Sequence, residues 1–388
     1  MTEAARPRAL VMGGFDVVRP LTLAGIECAL FADPGDPSRR SRRVRGISGW
    51  ADPVREPQAA VDALLAFAAA EPVPPVLYPA NDGAILLASR HRERLAGAFR
   101  LTLARGELVE DLLHKDRFAA LAERAGLPVP ASRRLRVEGP PPGDLDLRFP
   151  IVLKPVVRGR AWRHERSDAK AMPAQDAREL AQRWQELEPG SEVLAQEAIP
   201  GPERRIESFH VYVGDDGGVL GEFTGRKVRT YPVRFGESTA VEITDEADVA
   251  RIGRDVVERI GLRGVAKLDF KRAEDGSLAL LEINPRFNLW HFPGAIAGVN
   301  LPAIAHADAT GAPPPPAGRV RAGVRWCDPL LDPLAARAEG VALRRWARWA
   351  AGCDAVSGFT WDDPLPLLDR VFGHGLQLGR LARRIRDR

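Results

Sequence analysis

The chain has 388 residues, of which 45% are hydrophobic and 28% charged, with a formal net charge of +4. That length suits two or three domains. The balance excludes a wholly disordered chain, and no run of 18 apolar residues offers a transmembrane helix. The first residues, MTEAARPRALVMGG, lack the apolar stretch and cleavage site of a secretory leader. Cys28, Cys327 and Cys353 are too scattered for a disulfide framework or a zinc site. A reducing cytoplasm is therefore the expected compartment. The 56 basic residues nearly balance 52 acidic ones, and the densest basic cluster is only Arg39, Arg40, Arg42, Arg43 and Arg45. Nucleic acid is not an expected partner. Only six basic residues are lysines: Lys115, Lys154, Lys170, Lys227, Lys267 and Lys271. In so arginine-rich a chain, lysines mark positions where a compact ammonium is preferred.

Residues 8–12 read as a strand, Gly13-Gly14 as a tight turn, and Val17–Leu23 as a helix ending at Gly25. A second strand at 26–31 ends at Asp33-Pro34, a helix follows at 57–70, a third strand at 76–78, and another helix from Asp82. This alternation predicts a small parallel α/β domain. Gly13-Gly14 falls short of a dinucleotide fingerprint. Asp33 is placed either to cap a ribose or simply to start a turn. Residues 107–126 form two helical pieces, the second being Lys115–Ala125, and 138–143 (Glu-Gly-Pro-Pro-Pro-Gly) is a linker. Beyond it come a strand at 150–154, a helix at 173–187, a strand at 192–197, strands over 205–243, and a helix at 245–260. The proline run Pro313–Pro316 sets off the last segment, which carries Trp326, Trp346, Trp349 and Trp361. Those tryptophans fit either a pocket lining or plain packing.

The most informative stretch is GVAKLDFKRAEDGSLALLEINPRFN, residues 264–288. Both halves alternate, and Glu274–Ser277 can close a hairpin. A single register then sets Asp269 opposite Glu282, with Asn284 two positions on along the same face. Leu268, Phe270, Leu281 and Ile283 point to the other side, toward a core. Facing carboxylates about 5 Å apart at Cβ repel each other. A hard divalent ion that shares its shell with phosphates, Mg²⁺ or else Mn²⁺, relieves the repulsion. Lys267 and Lys271 add positive potential on that face, and Arg286 projects beside it. The alternative is a solvated surface hairpin.

These residues resemble the ATP-grasp superfamily: LEINPR after a KLDFK strand looks like its metal-binding end. HKDRFAALAERAGLPVPAS (114–132) resembles the opening segment, which makes Lys115 a nucleotide-facing lysine. FPIVLKP (149–155) resembles the strand of the second ATP lysine, Lys154. LAQEAIPG (194–201) resembles the hinge, so Gln196, Glu197, Ala198 and Ile199 are expected at adenine and Glu203 at the ribose. YPANDGAILLASR (78–90) fits the preceding domain. TGRKVRTYPVRFGES (224–238) and WDDPLP (361–366) narrow the likeness to carboxylate–amine ligases related to D-aspartate ligase and to the carbamoyl-phosphate synthase large-chain domain.

The resemblance implies an α/β plus α+β architecture. A parallel pre-ATP-grasp domain would occupy 1–112. A two-lobed ATP-grasp domain with antiparallel sheets would occupy 113–310, its smaller lobe at about 135–197. A C-terminal cap would occupy 311–388. It also implies ATP and Mg²⁺, small-molecule carboxylate and amine substrates, and no membrane partner, and it leaves a homodimer open. Asp269, Glu282 and Asn284 would hold the metal, and Arg286, Lys227 and Arg226 would serve catalysis and acceptor binding, with Arg229 beside them. His210 and His291 are candidates for contact with the amine. The loop 156–166 departs from the family: it has one glycine and carries Arg158, Arg160 and Arg163, which would reach phosphate or an anionic substrate. Competing readings are an ATP-grasp carboxylase or carbamoyl-phosphate-type enzyme, a non-catalytic ATP-binding regulator, and a nicotinamide-dependent oxidoreductase resting on Gly13-Gly14.

Overall fold

The computed structural model describes residues 6–156, 171–316 and 318–373. Arg158, Arg160 and Arg163 lie outside the described residues. The chain begins with β1 (Ala9–Met12), β2 (Cys28–Leu30), β3 (Val44–Ile47), β4 (Val76–Pro79) and β5 (Arg100–Leu101). They form one parallel sheet in the order β3-β2-β1-β4-β5. Every residue of β1, β2 and β4 is buried, as expected for strands covered on both faces. The sequence hides β3 and β5 because they are short edges: Val-Arg-Gly-Ile is half exposed and Arg-Leu spans two residues. At Gly13 the turn after β1 presses on the turn after β4, where a Cβ would come within 2.5 Å of the Ala80 Cβ. Close packing therefore accounts for this glycine.

The smaller lobe holds β6 (Ser132–Arg136), β7 (Ile151–Pro155), β8 (Met172–Ala174) and β9 (Glu192–Glu197), paired antiparallel in the order β6-β9-β7-β8. Its helix runs Ala177–Gln185 and starts later than expected. Asp176 accepts the Glu179 N–H as its N-cap, and Met172–Ala174 pairs with β7 instead. Ile151, Leu153, Leu180, Trp184 and Val193 form a core of this lobe's own.

The larger lobe contains β10 (Ile206–Val213), β11 (Val219–Tyr231), β12 (Glu237–Thr244), β13 (Gly264–Arg272), β14 (Leu278–Asn284), β15 (Arg325–Cys327) and β16 (Ala355–Val356). They line up as β14-β13-β10-β11-β12-β15-β16. The boundary expected at residue 311 is thus not a boundary of the sheet, because β15 pairs with β12 and β16 with β15. One apolar cluster joins Leu10 and Leu77 of the parallel sheet to Phe209, Leu268 and Phe270 of the large one. The first domain and the larger lobe pack as one body, against which the smaller lobe stands apart.

Three of the four late tryptophans are packing elements. Trp326 is buried and donates to Asp16 Oδ1 at 3.0 Å. Trp346 donates to Asp332 Oδ2 at 2.9 Å, and the Trp349 ring lies 4.2 Å below the Arg229 guanidinium. Only Trp361 is exposed. Among the described residues no helix is long and apolar enough to cross a membrane.

Candidate active site

The hairpin of β13 and β14 sets Asp269 opposite Glu282 and Lys267 opposite Asn284. The register slips by one just past Asp269, where Phe270 pairs with Leu280. This bulge corrects the single register expected from the sequence. It turns Leu280 rather than Leu281 into the core: Leu280 is fully buried and Leu281 only partly. The polar face is unaffected, since the bulge lies beyond it. Lys267, Asp269 and Lys271 share that face by strand alternation.

Asp269 is buried and carries three partners. Ser208 Oγ, from the adjacent β10, donates to Oδ1 at 2.5 Å. Lys267 Nζ reaches Oδ2 at 2.7 Å and Lys227 Nζ reaches the same oxygen at 3.1 Å. Burial pushes the Asp269 pKa up, but the two ammonium groups outweigh it and hold the carboxyl far below its ordinary range. Burial likewise lowers both lysines. For Lys227 the charges of Asp269 and Glu282 reverse the sign and its pKa is raised. For Lys267 burial and the neighbouring Lys227 win and its pKa is lowered. Lys267 also stands 5.8 Å from the Trp290 ring centroid, a favourable place for a cation. Trp290 in turn explains the glycine of Thr-Gly-Arg-Lys: a Cβ on Gly225 would come within 2.5 Å of that indole. The close approach seats β11 on Trp290 two residues before Lys227.

Glu282 is exposed on the same face, and Asn284 Nδ2 donates to its Oε1 at 3.1 Å. In the smaller lobe, Lys154 of β7 donates to Gln196 Oε1 of β9 at 2.6 Å. Burial lowers the Lys154 pKa, and the negative charge of Glu282 pulls it back toward the protonated form. The smaller lobe's lysine and the larger lobe's carboxylate thus act on each other. Lys115 Nζ donates to the Pro155 carbonyl at the end of β7, 2.7 Å away. Glu203 lies 3.7 Å from Lys271, whose pKa burial lowers.

Several expected residues fall elsewhere. Arg226 pairs with Glu207 at 2.9 Å and Glu246 at 2.8 Å, on the opposite face of the sheet from Lys227. Arg229 is also withdrawn from substrate, because both its Nε and Nη2 are donated to the buried Asp332, at 2.8 and 2.6 Å. His210 and His291 are completely buried. His210 stacks on Phe223 with centroids 4.5 Å apart, and burial drives its pKa well down; that of His291 falls to about 3. Neither imidazole is presented to a substrate. The Glu197 side chain turns outward to Arg148, 3.0 Å away. The N–H of Glu197 donates to the Ala131 carbonyl and that of Ala198 to the Pro150 carbonyl. Ser208 and Asp82 were not anticipated. A serine inside the apolar strand Ile-Glu-Ser-Phe-His-Val was the available signal for the first. Asp82 accepts from Arg286 Nε at 2.6 Å.

The fold also has relatives. A family model described as ATP-grasp in the biosynthetic pathway with Ter operon matches residues 192–328. The crystal structure of the ADP complex of N5-carboxyaminoimidazole ribonucleotide synthetase superposes with a TM-score of 0.62 at 14% identity, covering 84% of this chain and 82% of that one. The chain therefore has the ATP-grasp fold. L-amino acid ligase from Bacillus licheniformis shares the ATP-grasp fold at a TM-score of 0.57 and 16% identity, over 79% of this chain and 75% of that one. D-aspartate ligase of Enterococcus faecium (strain Aus0004) is 26% identical over 237 residues, 58% of this chain and 56% of its own. The chain thus spans about half the length of that curated relative.

Among the described residues no three His, Cys, Asp or Glu side chains converge as a metal cluster. Glu282 and Asn284 nevertheless sit side by side, Asn284 Nδ2 on Glu282 Oε1 and Asn284 Oδ1 3.5 Å from Arg286 Nη2; with the amide turned over, a carboxylate and an amide oxygen would offer the hard-oxygen chemistry of Mg²⁺. Asp269 faces Glu282 but is occupied by two ammonium groups.

Proposed function

We propose that this protein is an ATP-dependent ligase of the ATP-grasp superfamily that activates a carboxylate as an acyl phosphate and joins it to an amine. The observation that carries the reading is the convergence of Lys154, Lys227 and Lys267 with Glu282 and Asp269 across two lobes. Three compact ammonium groups against two carboxylates make a site for a polyanion and a hard cation. Likeness to D-aspartate ligase and L-amino acid ligase supports an amino acid or peptide among the substrates.

The chemical difficulty is charge, since an anionic carboxylate must approach a triphosphate. Lys154 holds phosphate oxygens from the smaller lobe. Lys227 and Lys267, fixed by Asp269, face the transferring phosphoryl group and offset the charge that builds there. Arg286 stabilises the acyl phosphate oxygen. The amine then displaces phosphate and leaves an amide. Glu282 and Asn284 would hold Mg²⁺, which when bound supplies charge neutralisation of the phosphates, while Asp269 opposite stays paired with Lys227 and Lys267. The adenine edge meets the hinge, where the Ile199 N–H has no backbone carbonyl partner among the described residues. Glu203 is in place for ribose hydroxyls, and Lys115 closes the inner end of β7.

An ADP-release screen of amino acids, singly and in pairs with ATP and Mg²⁺, tests the reading. Release should require one carboxylate and one amine, and hydroxylamine should trap the activated carboxylate as a hydroxamate. Glu282→Gln should reduce release by about 10³-fold or more and leave the fold intact, since Glu282 is exposed. Release that needs only bicarbonate would instead establish a carboxylase. Wild-type turnover in Glu282→Gln would remove the metal assignment.

A further inference from the structure

We infer that Asp82, in the parallel α/β domain, is a positioning residue that aims Arg286 at the reacting centre; this rests on the ligase reading above. Asp82 opens the helix Asp82–Arg90 and accepts from Arg286 Nε at 2.6 Å. Arg286 Nη2 lies 3.5 Å from Asn284 Oδ1, and Asn284 Nδ2 donates to Glu282 Oε1 at 3.1 Å. A chain of carboxylate, guanidinium, amide and carboxylate therefore runs from the first domain to Glu282. The backbone reinforces it: the Phe287 N–H donates to the Pro79 carbonyl at 3.1 Å, and the Tyr78 and Phe287 rings pack with centroids 4.8 Å apart. The end of β4 and the exit of β14 are clamped together at the point where Asp82 meets Arg286.

Stability does not account for the contact. The two side chains are 40% and 21% exposed, and so accessible an ion pair adds little to folding. Its effect is on geometry. Asp82 is the one ion-pair partner of Arg286 among the described residues. It takes the inner nitrogen of a rigid fork, which fixes the direction in which the outer nitrogens project. Asp82 sits in the first turn of that helix, where the backbone dipole favours a negative side chain. Asn81, just before it, fixes that N-terminus by accepting the Ala84 N–H at 2.9 Å.

The inference predicts a change in turnover without a change in nucleotide affinity. Asp82→Asn keeps the shape and the helix cap and removes the charge. Its kcat should fall about tenfold or more, with KM for ATP and Tm unchanged, and Asp82→Glu should restore part of the loss. Wild-type kcat in Asp82→Asn overturns the inference. So does a matched loss of kcat, ATP affinity and Tm, which would mark a structural role only. A second measurement needs no turnover: the ¹⁵N signal of the Arg286 side-chain Nε–H, identified by its absence in Arg286→Lys. It should shift and exchange faster with water in Asp82→Asn, and an unchanged signal overturns the pairing. Wild-type protein that releases no ADP in any screen overturns the ligase reading and Asp82's part in it. Turnover that ignores Asp82 overturns this inference alone.

Discussion

Lys227 of β11 forms a 3.1 Å ion pair with Asp269 of β13, although β10 runs between their two strands. The ammonium spans a whole strand, and Ser208 on the bridged strand donates to the other oxygen of the same carboxylate. With Lys267 also bound, Asp269 is the counter-charge of two buried cations. Removing one partner of such a cluster leaves charges without water or compensation.

Asp269→Asn should therefore destabilise the protein by about 3–5 kcal/mol at neutral pH, measured by denaturant unfolding. The pH dependence has a definite sign. The folded carboxyl titrates well below its ordinary 3.8. Its contribution is complete above that value and is lost as the pH falls below it. The Asn variant should lack this part of the acid limb. Equal denaturation midpoints for variant and wild type would mean that the lysines need no counter-charge.

Lys154 and Arg226 make a second contrast. Lys154 is the only lysine of the smaller lobe among the described residues, and its charge is coupled to Glu282 across the cleft. Arg226 is bound to Glu207 and Glu246 on the far face. Lys154→Ala should weaken binding of a non-hydrolysable ATP analogue about tenfold, or ~1.4 kcal/mol. Arg226→Ala should leave it within about twofold. Calorimetric titration of both variants checks the order, and a reversed order would put the nucleotide on the other side of the sheet.

How much of this was legible depended on whether the chemistry was local. The facing of Asp269 and Glu282 follows from strand alternation and one short loop, so the sequence shows it. The bulge past Asp269 does not change which residues are apolar, so nothing in the pattern reveals it. Arg226 and Lys227 are neighbours in the chain yet lie on opposite faces. Choosing between them needs the register with β10 and the position of Trp290, which are tertiary facts. Arg229 reads as a free cation until Asp332, 103 residues away, arrives from the C-terminal segment. Ser208 and Asp82 are found only when strands and domains meet. The edge strands β3 and β5 escape because an edge needs no apolar run.

Asp16 supports a last prediction, about the seam between the first domain and the C-terminal strands. It accepts from Trp326 Nε1 at 3.0 Å and from Ser357 Oγ at 3.0 Å. Burial pushes its pKa up from 3.8 to about 6. The folded protein therefore holds this proton to a higher pH than the unfolded chain does. Stability falls as the pH rises between those two values and stays reduced above them. At ~1.4 kcal/mol per pKa unit the loss at neutral pH is about 2–3 kcal/mol. Asparagine has no charge to desolvate; its Oδ1 can accept from Trp326 and its Nδ2 can donate to Ser357. Asp16→Asn should raise Tm over wild type at pH 7.5 and lose most of that advantage at pH 4. The seam would be pH-independent, and Asp16 solvated rather than desolvated, if the difference between the two proteins failed to widen as the pH rose.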